Sequence, residues 1–156
     1  MNHLTTLGLP LLGLAALVAV VLFSLVATQF MAEPSVIGPQ DANLMLQASV
    51  TKTATFNSTA LDLGQGFAPG GAGKPMSANV FVSSMDTDDG NETYTFALQD
   101  SADNATFVAR GSVAVTAAGT GVIGAVIKQR YVRLVLTTTG TTPSITYLAY
   151  LQPQSL

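Results

Sequence analysis

The amino-acid sequence predicts an all-β protein: an antiparallel jelly-roll β-sandwich preceded by an apolar N-terminal helix. From Leu44 onward, roughly seven or eight short segments rich in β-branched and aromatic residues are separated by turns that contain Gly or Asp. The first 32 residues instead carry no charged side chain. These patterns divide the chain into an apolar segment at 1–32, a linker at 33–43 that contains Pro34, Gly38 and Pro39, and a β-domain at 44–156.

The apolar segment has one long hydrophobic run, from Leu7 to Val26. About 20 apolar residues span roughly 30 Å as a helix, which matches one bilayer core. A secretory signal peptide fits poorly, because no Lys or Arg precedes the run and no A-x-A site follows it. We therefore expect a helix that enters a membrane or packs against partner subunits. A working protein that starts at Met31 is a further alternative.

The β-domain is read from alternating apolar residues and from Gly, Pro and Asp at the breaks. The predicted strands are 44–56, 60–63, 77–85, 92–99, 106–116, 130–138 and 145–151. The predicted connections are a Gly/Pro loop at 64–75, a hairpin turn at 86–91, a turn at 100–105 and a small, flexible segment at 117–124.

The strand at 130–138 shows the alternation most clearly. Val132, Leu134 and Leu136 fall on one face and are predicted to enter the core. Tyr131 and Arg133 fall on the opposite face, and Gly140 ends the pattern. A strand with one apolar and one mixed face is typical of the centre of a β-sandwich.

The sequence argues against an enzyme. Its one histidine, His3, lies ahead of the apolar run, and there is no cysteine, so a catalytic triad or dyad has no base in the β-domain. The Gly-rich stretch at 68–75 has Pro75 where a phosphate-binding loop needs Ser or Thr. We expect no catalytic residue, no cofactor and no small-molecule substrate. With six Lys and Arg and a net charge of −3, nucleic acid is not an expected partner.

The acidic segment at 86–92 raises the question of calcium. An EF-hand loop needs oxygen ligands at its first and third positions, but with Gly90 at the sixth position Met85 stands at the first. The Asp-Gly pair predicts a solvated hairpin turn, and we expect no metal site.

Half of the basic residues lie close to one strand. For Arg133 a structural salt bridge to Asp62 or Asp100 is the favoured interpretation, and a contact to a neighbouring subunit is the functional alternative. Arg130 is expected at the entry of the strand. The candidate subunit-contact residues are Lys128, Arg130, Tyr131 and Arg133.

Three stretches resemble the Bbp16-type capsid cement proteins of tailed phages. They are 44–64, which ends in Ala-Leu-Asp-Leu-Gly, 96–107, which contains Asp-Ser-Ala-Asp, and 128–140, which contains Arg-Tyr-Val-Arg-Leu. Together they lie within about residues 44–152. The resemblance implies a small jelly-roll β-sandwich outside a capsid that clamps neighbouring subunits. Its partners would be the major capsid protein and copies of itself, and its location the virion. An apolar segment like 1–32 is not expected in that family.

The predicted function is therefore a structural virion protein, either a capsid cement (decoration) protein or a minor capsid protein. Two alternatives stay open. An apolar segment before a β-domain is also typical of a membrane-anchored or pilus-like cell-surface protein. The Asp-Ser-Ala-Asp and Arg-Tyr-Val-Arg-Leu stretches are also similar to discoidin-like carbohydrate-binding jelly rolls, although this chain has no tryptophan for a sugar-binding loop.

Overall fold

A computed structural model describes residues 41–66 and 73–154. The apolar helix predicted within 1–32, most of the linker and part of the Gly/Pro loop lie outside the described residues. Within the described ranges no helix is long and apolar enough to cross a membrane.

The described residues form an all-β fold of two antiparallel sheets that pack as a sandwich. A short 3-10 helix at Ala42–Leu44 precedes the strands, and the Asp41 side chain caps it by accepting the N–H of Asn43. The strands are β1 (Met45–Lys52), β2 (Phe56–Asn57), β3 (Leu61–Asp62), β4 (Lys74–Met85), β5 (Thr93–Ser101), β6 (Val108–Val115), β7 (Gly119–Ile127), β8 (Tyr131–Thr139) and β9 (Ile145–Pro153).

The first sheet has the strand order β1-β9-β4-β7, and the second has the order β2-β8-β5-β6. Strand β3 pairs with β8 just beyond β2, so β2 and β3 together line one edge of β8. The other edge of β8 pairs with β5 along its whole length. Strands β4, β5, β8 and β9 are therefore central, while β1, β6 and β7 lie at sheet edges.

The core lies between the sheets and is filled by every second residue of the central strands. Val132, Leu134 and Leu136 are each at most 1% exposed, which confirms their predicted burial. Phe96 on β5 and Tyr147 on β9 meet edge to face across the core, with ring centroids 4.8 Å apart. Burial raises the pKa of Tyr147 to about 12, because the phenolate would lose its hydration.

The segment predicted to be flexible, 117–124, is largely strand, and that prediction is wrong. β7 places Ile123, Ala125 and Ile127 in the core. Its small residues allow close packing rather than flexibility. A Cβ on Gly121 would lie 3.1 to 3.3 Å from the Val113 and Val115 side chains of β6. The edge strands β6 and β7 of the two sheets therefore approach each other closely at this glycine.

Two further predictions fail for one reason: consecutive strands lie in different sheets. The segment 44–56 divides into β1 of the first sheet and β2 of the second. The turn at 86–91 is not a hairpin, because β4 and β5 also belong to different sheets. The Asp-Gly pair still marks a turn, with Gly90 at φ +70°, but the turn carries the chain across the sandwich.

Strand ends differ from the predicted ones by a few residues. β4 begins at Lys74, inside the predicted loop, and β5 continues to Ser101, inside the predicted turn. These positions are strand because they pair with β7 and β8, which the local sequence does not reveal.

Replacing Leu134 by Ala should lower the free energy of unfolding by about 2–5 kcal/mol, because the side chain is 1% exposed and its removal leaves a cavity. Chemical denaturation of a chain that begins at Pro39 would measure this loss. Thr137→Ala, at an exposed position of the same strand, is the control and should change stability little. A loss below 1 kcal/mol for Leu134→Ala would contradict the assignment of the core face.

Candidate functional site

The buried carboxylate of Asp100 is the centre of the polar network at one end of the sandwich. Asp100 is 0% exposed and ends the inward-facing row of β5. It accepts a hydrogen bond from Arg110 Nε at 2.7 Å and from the backbone N–H groups of Lys128 and Gln129 at 2.8 and 3.1 Å. One side chain therefore joins β5, β6 and the turn between β7 and β8.

Arg133 does not form the predicted salt bridge. Its Nε donates to Gln99 Oε1 at 2.9 Å, and its guanidinium lies 3.8 Å from the ring centroid of Phe107. Arg133 is paired with Gln99 in the β5–β8 register, on the outer side of the second sheet. Asp100 faces the interior, so an outward side chain on β8 cannot reach it.

Asp62 pairs with Arg130 instead of Arg133. Arg130 Nε and Nη2 donate to the two carboxylate oxygens at 2.7 and 2.6 Å, with both side chains over 40% exposed. Arg130 and the N–H of Gly64 lower the pKa of Asp62 to about 2. Because the folded-state pKa is lowered, the associated stabilisation is present above the ordinary value near 3.8 and is lost as the pH falls towards 2.

The four candidate subunit-contact residues are thus placed at the start of β8 and just before it. Arg130 lies at the strand entry, as expected, with its guanidinium 5.1 Å from the Tyr131 ring centroid. Arg130 and Arg133 both have partners within the chain. The Lys128 side chain is exposed, while its backbone N–H binds Asp100. A contact with another subunit through these residues stays a prediction.

Asp103 stabilises the turn that follows β5. Its carboxylate accepts the N–H groups of Thr106 and Ala105 and the Ser101 hydroxyl, which hold its pKa well below the ordinary value. Asn104 beside it has a left-handed φ of 57°. In Asp-Ser-Ala-Asp, the first aspartate is therefore part of the buried network, and the last shapes the turn.

The acidic segment at 86–92 lies in the connection between the sheets. Asp86 Oδ1 accepts the N–H of Asp88 at 3.0 Å. No group of three or more His, Asp or Glu side chains suited to a metal ion occurs among residues 41–66 and 73–154.

A second feature, which sequence reasoning missed, is the outer side of the first sheet. The register places Tyr150, Asn79 and Val122 in one row across β9, β4 and β7. Leu148, Phe81 and Thr120 form the next row. We call the outward side chains of these three strands the neutral face. Its members are Pro75, Ser77, Asn79, Phe81, Thr120, Val122, Gly124, Val126, Thr146, Leu148, Tyr150 and Gln152.

The neutral face contains no charged residue. Val122 and Val126 are 52% and 40% exposed, and Met45 on β1, paired with Tyr150, extends the apolar area. Asn79 Nδ2 donates to Gln152 Oε1 at 2.8 Å, so one hydrogen bond joins the two amides in its centre. This face suits contact with a weakly polar surface.

The neutral face was missed because β7 was predicted as a flexible segment. The available signal was the continuous apolar run Val122, Ile123, Gly124, Ala125 and Val126, which gives a strand two apolar faces. A strand apolar on both faces indicates that both of its sides are covered.

Comparisons with known proteins add little to this geometry. No protein-family model matches the chain, and no curated protein sequence matches it. Solved structures similar to it include the N-terminal CBM22-1 and GH10 modules of Clostridium thermocellum endo-1,4-β-D-xylanase 10B, complexed with xylohexaose. The identity is 15% and the TM-score 0.39, over 74% of this chain and 28% of that chain. This chain thus spans under a third of that protein, and a likeness this weak carries no argument about function.

Asp100→Ala should lower the free energy of unfolding by about 3–5 kcal/mol, because it leaves Arg110 and two backbone N–H groups without their buried acceptor. Thermal or chemical denaturation would measure the loss. The control is Asp62→Ala, which breaks an exposed, two-bond ion pair with Arg130 and should leave the unfolding midpoint almost unchanged. Equal losses in both variants would show that Asp100 has no special structural role.

Proposed function

We propose that this protein is a capsid cement or decoration protein whose jelly-roll domain stabilises a shell by packing its neutral face against neighbouring subunits. The order of the strands supports the jelly-roll assignment. The chain pairs as one long antiparallel ribbon: β1 with β9, β2 and β3 with β8, β4 with β7, and β5 with β6. Successive pairs of the ribbon alternate between the two sheets, as in a jelly roll.

The observation that carries the proposal is the neutral face. Three strands about 4.8 Å apart and about eight residues long give it an area of roughly 400 Å². Standard protein interfaces bury about 800 Å² on each partner, so this face supplies about half of one such contact. The largest apolar patch of a typical soluble monomer has about this size and is often functional.

The absence of charge on this face suits a protein present in many copies. Each chain carries a net charge of −3, and copies placed side by side repel one another if their charges meet. Here the contact surface is uncharged, and the charged side chains of the described residues lie at strand ends, in connections or on the second sheet. The resemblance of residues 44–152 to capsid cement proteins supports a capsid subunit as the partner.

A carbohydrate-binding module is the second candidate, and one feature of the same face favours it. The half-buried rings of Phe81 and Tyr150 flank the amides of Asn79 and Gln152. Aromatic rings beside amide groups are suited to the apolar faces and hydroxyls of sugars. Binding of oligosaccharides to the isolated protein would favour this candidate.

Val122→Glu should abolish incorporation into capsid particles assembled with the major capsid protein of the same genome. The substitution places a charge on the neutral face, and burying that charge without a partner opposes docking. Co-sedimentation of the full-length protein with the particles would measure incorporation.

The matched control is Val108→Glu. Val108 is 50% exposed against 52% for Val122, but it lies on β6 of the second sheet, so incorporation should persist. Both variants should melt close to the unmodified protein. Equal incorporation of the two variants would contradict the proposal. Recovery of the protein only in cell-envelope fractions would favour a membrane-anchored surface protein instead.

A further inference from the structure

A cavity of about 320 Å³ lies at the end of the sandwich where the chain crosses from β4 to β5. The crossing segment, the first residues of β5 and the last residues of β6 surround it. Met85, Tyr94 and Val115 form apolar parts of its wall, and Thr87, Thr95 and Thr116 add hydroxyl groups. Glu92 also lines the cavity.

The carboxylate of Glu92 has an unusual environment. Both of its oxygens are buried, and neither has a hydrogen-bond partner among the described residues. A buried carboxylate without a donor is destabilising, because it gives up hydration and gains nothing in return. Native proteins rarely retain such a group without a role for it.

Neighbouring groups are already committed to other partners. The Tyr94 hydroxyl lies 2.9 and 3.1 Å from the carbonyl oxygens of Asp86 and Ser144, and it accepts the N–H of Ser144. It therefore has no proton left for Glu92. The described contacts therefore leave the Glu92 carboxylate without a donor, and a cationic group that enters the cavity would supply one.

The backbone of Glu92 is held firmly in place. The Asn91 side chain next to it makes two hydrogen bonds with Thr141. Asn91 Oδ1 accepts the Thr141 N–H at 2.9 Å, and Asn91 Nδ2 donates to the Thr141 hydroxyl at 3.2 Å. Gly140 packs so closely that a Cβ there would lie 2.7 Å from the Glu92 Cα. The Glu92 backbone therefore has a defined position beside the cavity that its side chain lines.

We infer that this cavity binds a primary alkylammonium group, such as a lysine side chain, with Glu92 as its counter-ion. An ammonium group has three donors, which one carboxylate and nearby threonine hydroxyls can satisfy, while the apolar wall contacts the alkyl stem. Calcium is a poor fit because it needs six to eight oxygen ligands, and Glu92 is the one acidic residue of the lining. This inference does not depend on the capsid proposal.

The test is a titration of the full-length, ¹⁵N-labelled protein in a non-ionic detergent, followed by the amide NMR signals of Thr87, Gly90, Thr95 and Thr116. The probes are n-butylammonium, Nα-acetyl-lysine methylamide, butan-1-ol and calcium, at constant ionic strength. Saturable shifts with an ammonium probe, and none with butan-1-ol, are expected. Stronger binding of the lysine derivative would indicate a lysine of a partner protein, and stronger binding of n-butylammonium would indicate a free amine.

Glu92→Gln should weaken binding of the ammonium probes by about tenfold or more, because the amide keeps the shape but removes the charge. The matched control is Asp89→Asn, an exposed carboxylate on the same connection, which should bind like the unmodified protein. Equal shifts with butan-1-ol and n-butylammonium, stronger shifts with calcium, or unchanged binding by Glu92→Gln would each overturn the inference. The comparison of probes on the unmodified protein holds even where the Glu92→Gln variant does not fold.

Discussion

The arrangement of the second sheet and of the turn between β7 and β8 depends on the hydrogen bonds of the buried Asp100 carboxylate. A charged group in the interior is tolerated only when its hydrogen-bonding capacity is met, and here one guanidinium and two backbone N–H groups meet it. The bonds reach β6 and the turn that leads into β8, so the carboxylate fixes where β8 begins. The register of β8 against β5 then places Arg133 beside Gln99 and turns Val132, Leu134 and Leu136 inward.

The same network brings together two of the segments that resemble capsid cement proteins. Asp-Ser-Ala-Asp ends β5, and Arg-Tyr-Val-Arg-Leu begins β8, and the two strands are paired at this point: Asp100 lies opposite Val132, and Ser101 opposite Tyr131. The described contacts of these residues are structural. The surface that carries the proposed function is the neutral face of the other sheet, whose outward side chains are uncharged and include exposed valines.

The sequence predicts local features well and long-range ones poorly. Alternation in 130–138 identifies the core face of β8, because burial imposes a period of two on the residues themselves. Sheet membership depends on pairing between distant segments, such as β1 with β9, and leaves no local pattern. The crossing at 86–91 was therefore mistaken for a hairpin. The small residues of β7 suggested a flexible segment. Their role is to let β6 pack closely against β7, and the local sequence does not reveal that contact.

The central claim is that the neutral face is covered in the assembled state. The chain has no cysteine, so a single Val122→Cys substitution gives a unique probe on this face, and Val108→Cys gives one on the other sheet. The measurement is the rate of maleimide labelling of each variant, free and within purified particles. The account predicts that the thiol at position 122 reacts in the free protein and is protected in particles, while that at position 108 reacts in both. Labelling at position 122 that is equally fast in both states would contradict it.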